Sequence, residues 1–68
     1  MTENEERLLS ALASMAAQYL ETEDGRVDHL FMRAGEKTVR VLSEYGLINE
    51  DGRNSRWTDA GRTFLAKP

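Results

Sequence analysis

The chain reads as a small α+β domain with two main helices, a two-stranded ribbon and a short closing helix. Three observations predict it. Apolar residues recur at helical intervals through two long segments. A glycine after Tyr45 stops the second helix and leads into Leu47-Ile48, an Asp51-Gly52 turn and Trp57, the pattern of a hairpin. Thr58 followed by Asp59 has the make-up of a helix start.

The first helix is expected from about Glu3 to Leu20. Thr2 and Glu5 have capping-box spacing, and Leu8, Leu9, Leu12, Met15, Ala16, Tyr19 and Leu20 follow at helical intervals. Met15 and Tyr19 are expected in the core. Alanines at 11, 13, 16 and 17 favour helix and leave smooth flanks that let another helix approach closely. That other helix is either part of the same core or the same helix of a second copy. The polar run Glu21 to Gly25 breaks the pattern and reads as a loop, with Asp24 placed to cap the next element.

Two readings fit the next segment. Val27, Leu30, Phe31, Ala34, Thr38, Val41, Leu42 and Tyr45 keep one helical stripe over about five turns, which favours a single long helix. Gly35 interrupts the stripe at a cost of about 1 kcal/mol, which is less than the about 1.5 to 3 kcal/mol contributed by each large side chain buried. The alternative is a helix, a turn at Ala34-Gly35-Glu36 and a second helix. Beyond Gly46, a four-residue loop of Asp51 to Asn54 sets Ile48 opposite Trp57. Both then face the helices and Arg56 faces away, so the ribbon is docked. Ala60, Phe64 and Leu65 give a closing helix that packs back on the first, and Lys67-Pro68 frays.

At 68 residues the chain is one domain, spanning 1–68, of a size that buries only about 60% of its chain surface. It has no cysteine to supply a disulfide or a thiolate metal cage. The acidic start lacks the order of a secretory signal, and no apolar run approaches the about 20 residues that cross a bilayer. A cytoplasmic, membrane-free setting is expected. The net charge of -3 is unevenly placed. Residues 1–28 set seven carboxylates against Arg7 and Arg26, whereas residues 29–68 set seven lysines and arginines against five carboxylates. The second half is therefore the one that can face an anion.

Leu42-x-x-x-Gly46-Leu47-Ile48, the basic hairpin and Trp57-Thr58-Asp59-Ala60-Gly61-Arg62 together resemble the second half of winged helix-turn-helix transcriptional regulators. Those often read leucine, three residues, glycine-leucine-isoleucine, a wing, then leucine-threonine-x-x-glycine. The likeness covers roughly the last 30 residues. The family usually has more residues between its first core leucine and this glycine than separate Leu30 from Gly46. The resemblance implies a winged-helix-like domain whose helix before the wing enters the major groove of DNA while the wing touches backbone or minor groove. Carried onto this chain, the nucleic-acid-binding residues are Lys37 and Arg40 on the helix and Arg53 and Arg56 on the wing. Arg40 also has a bland reading, since Glu36 and Glu44 flank it at helical spacing and can pair with it.

No catalytic constellation is expected. His29 is the one histidine and lacks metal-ligand spacing, no serine sits in a nucleophile-elbow pattern, and no glycine loop cradles a phosphate. Hence neither enzyme activity nor a metal or cofactor is expected. The partners in view are DNA, with a homodimer through helix 1. The alternative is a protein-interaction module on the same scaffold, self-associating or binding a protein partner without DNA.

Overall fold

A computed structural model describes residues 2–28 and 35–66. The expectations placed on His29, Leu30, Phe31, Ala34 and the terminal Lys67-Pro68 lie outside the described residues. The described elements run α1 (Glu3–Tyr19), β1 (Arg26–Val27), α2 (Gly35–Glu44), β2 (Ile48–Asn49), β3 (Ser55–Trp57) and α3 (Asp59–Leu65).

The capping box forms as the sequence implies. The Glu5 amide donates to Thr2 Oγ1 at 3.1 Å and the Thr2 amide to Glu5 Oε1 at 3.2 Å. Two of the helix's orphan donors are thereby satisfied. α1 turns Leu9, Ala13 and Ala16 inward, and the small alanines let α2 come close with Thr38, Val39 and Leu42.

α2 ends in a Schellman arrangement. Gly46 sits at φ +75°, its amide donating to Ser43 O, and the Leu47 amide reaches back to Leu42 O at 2.9 Å. The chain is thus turned straight into β2. A short 3₁₀ turn over Gly52–Asn54 comes next, and β3 returns with Ile48 opposite Trp57 and Asn49 opposite Arg56. Ile48 and Trp57 are buried while Arg56 is exposed, as the four-residue loop requires. Thr58 caps α3 by accepting from the Gly61 amide at 3.0 Å.

The ribbon has a third strand that the periodicity does not announce. β1 pairs with β3, Arg26 opposite Arg56 and Val27 opposite Ser55, so the antiparallel sheet is ordered β1-β3-β2. Val27 is therefore a strand residue, and the single helix expected from Val27 to Tyr45 is corrected at its start. The helical spacing of Val27 is coincidental. Its backbone groups find partners on β3, and its branched side chain is fully buried on the inner face of the sheet. Asp24 does not cap a helix either: Gly25 at φ +83° makes a tight turn that sends the chain back, with the Thr22 amide donating to Arg26 O.

The stripe on α1 is wider than the surface that covers it. Leu9, Ala16 and Leu20 are buried, Leu12 and Met15 are half-buried, and Tyr19 is exposed rather than in the core, as is Leu8. In α2, Val39 is buried although it falls outside the expected stripe, and just past the helix Tyr45 is exposed with its hydroxyl donating to Glu5 Oε2 at 2.9 Å.

Candidate nucleic-acid interface

The pleat of the sheet decides which way the arginines point. With Val27, Ser55, Ile48 and Trp57 facing the core, Arg26, Arg56 and Asn49 form one row across the outer face. Arg26 and Arg56 are directly opposed, which for two like charges is unfavourable unless something compensates. Arg26 is compensated. Its Nε donates to both carboxylate oxygens of Asp24, at 2.9 and 3.1 Å, and its Nη1 donates to Asn54 Oδ1. The Thr22 hydroxyl donates to the same Asp24 carboxylate, and that bond, followed by Arg26, holds the carboxyl at a pKa of about 2. Arg56 has only the carbonyl of Asp24 at 3.3 Å, and among the described residues no carboxylate pairs with it.

The other sequence-derived positions divide. Lys37 and Arg40 are exposed one turn apart on α2. Lys37 lines a shallow groove of about 190 Å³ between α1 and α2 with Leu12, Thr38 and Val41, and it forms no ion pair with a described residue. Arg40 lies 3.9 Å from Glu36, as the spacing suggested, and 3.9 Å from Glu50 of the ribbon. Arg53, at the ribbon tip, binds Asp28 through both Nε and Nη2.

Arg62 was not among the expected contacts. It is exposed on α3 and comes to the same turn as Arg56, because the turn before β1, the middle of β3 and the middle of α3 meet there. Its place within the Thr58-to-Arg62 motif was the only sequence signal. Among the described residues no group of three or more histidine, cysteine, aspartate or glutamate side chains is placed to hold a metal ion. No described helix is long and apolar enough to cross a membrane. Compared with family models, with curated proteins and with solved structures, the chain finds no match.

Proposed function

We propose that the chain is a winged-helix-like domain that binds nucleic acid, DNA in a regulatory setting, through the outer face of its ribbon and the exposed side of α2. One observation carries this reading: Arg56 stands opposite Arg26 on the solvent face, with no carboxylate among the described residues to balance it. A polyanion supplies the missing charge. Lys37 adds a cation without an ion pair among the described residues. Arg40 holds its two carboxylates at 3.9 Å on the surface, a kind of pair worth about 0 to 1 kcal/mol, so exchange for phosphate costs little. Arg53 contributes mainly by fixing the wing tip. The test is fluorescence anisotropy of mixed-sequence duplexes at low and at about 0.2 M salt. Binding that weakens steeply with salt is expected, and an absence of binding at low salt ends the reading.

A second reading rests on the α1 face, which meets the Lys37 groove at Leu12. Leu8, Leu12, Met15 and Tyr19 share one face of α1, and Leu8 and Tyr19 are 60% and 56% exposed. Such a stripe fits self-association or a protein partner. Light scattering across a concentration series separates the readings, since a strict monomer removes the homodimer version.

A further inference from the structure

We infer that Arg56 of β3 and Arg62 of α3 form a pincer that holds one phosphate group over Gly25. The position that a Cβ would take on Gly25 lies 3.8 Å from Arg62 Nη2 and 3.9 Å from Arg56 Nη1, so two guanidinium groups close on one point. The two nitrogens therefore lie no more than about 8 Å apart, close enough for one tetrahedral phosphate to accept a charge-assisted hydrogen bond from each guanidinium group. Gly25 leaves that space open because it has no side chain, and its φ of +83° disfavours one.

Nothing described on the protein neutralises this pair. Both arginines are exposed, and neither forms an ion pair with a described residue. Arg56 donates through Nη1 to the Asp24 carbonyl at 3.3 Å, which leaves its Nη2 and Nε for a ligand. The Asp24 carboxylate is turned to the Thr22 hydroxyl and the Arg26 guanidinium. Two like charges gathered in this way are stabilised by an anion, and the planar forks of arginine match phosphate oxygens. Three elements supply the site, so it forms with the fold.

The identity of the phosphate as part of a nucleic-acid backbone rests on the function proposed above. It moves the footprint from the wing tip towards α3 and makes Arg62 a contact that α2 and the wing alone do not include.

The experiment has two arms. In the first, duplex affinity is measured against salt for the wild type, R56Q, R62Q and the double variant, with R62K as a charge-conserving control. A shared phosphate lowers the slope of log affinity against log salt by about 0.9 in each single variant and by about the same in the double variant. Additive losses, or an unchanged slope in R62Q, overturn the pincer. In the second arm, inorganic phosphate is titrated against chloride at matched ionic strength while the Gly25 amide is followed by NMR. A saturable shift that disappears in R56Q and in R62Q is expected, and the lack of one overturns the site whatever the DNA result. Saturation by phosphate together with no wild-type binding to DNA upholds the phosphate site and overturns the nucleic-acid reading.

Discussion

Arg53 Nε and Nη2 each lie 3.0 Å from one oxygen of Asp28, a carboxylate that is only 2% exposed. The contact fastens the tip of the ribbon to the residue after β1, 25 positions earlier in the chain. Removing the guanidinium takes a charged hydrogen-bonding partner from a buried carboxylate, a loss of about 1.5 to 3 kcal/mol. R53A is therefore expected to lower the thermal midpoint by roughly 6 to 24 °C, at about 4 to 8 °C per kcal/mol for a domain of this size. Calorimetry checks this. An unchanged midpoint would mean that the arginine is an ordinary surface cation.

Gly61 gives a prediction whose sign separates two effects. Alanine is the better helix former by about 1 kcal/mol, so propensity alone makes G61A stabilising. Packing opposes it: a Cβ at this position would stand 1.9 Å from the Leu47 carbonyl oxygen and 3.1 Å from the Trp57 ring. The first clash is with backbone, which also accepts the Thr58 amide at 3.0 Å, so α3 must move away from the ribbon. A net loss of about 1 to 3 kcal/mol is expected in urea unfolding.

Legibility in the sequence followed locality. Thr2 with Glu5, Gly46 at the end of α2 and Thr58 before α3 act within four or five residues, and each does in the structure what its spacing implies. The facing of Ile48 and Trp57 was also readable, because loop length fixes register in a hairpin. What escaped is long-range. Val27 suits a helical stripe and a strand equally, and only β3, nearly thirty residues later, decides between them. Asp28 and Arg53 are ordinary charges until the sheet brings them together. The outward position of Tyr19 depends on where α2 and α3 stop covering α1, which periodicity does not encode. Of the site, the exposure of Lys37, Arg40, Arg53 and Arg56 was legible, whereas their partners were legible only for Arg40 and Glu36.

The pH response should be asymmetric and traceable to two contacts. Asp24 is lowered from an ordinary 3.8 to about 2, so its stabilising contribution is present above 3.8 and is lost as pH falls through about 2. Glu5 is lowered as well, chiefly by the Tyr45 hydroxyl and then by the Thr2 backbone. Tyr45 is raised above 10.0 by the same bond, so that contribution holds below pH 10 and is lost as pH rises through the shifted value. Denaturation midpoints measured across pH should show D24N flattening the acid limb alone, and Y45F flattening part of both limbs. A Y45F profile identical to wild type would mean that the bond to Glu5 contributes nothing in solution.

The exposed stripe of α1 predicts the behaviour of one further variant. L8S removes an apolar side chain that is 60% exposed, so it should leave the unfolding midpoint nearly unchanged. If the chain self-associates through α1, the same substitution weakens the dimer, which concentration-dependent light scattering reads directly. Loss of stability in a strictly monomeric protein would instead place Leu8 in the core.

The proposed nucleic-acid face is tested most directly by a ¹H–¹⁵N titration of the whole chain with a short mixed-sequence duplex at low salt. Expected are saturable shifts at Asn49, Arg56 and Arg62 and along α2 from Lys37 to Arg40, with Leu8 and Tyr19 unmoved. A spectrum that does not change, or one whose shifts gather on the α1 face around Leu8, Met15 and Tyr19, would contradict it.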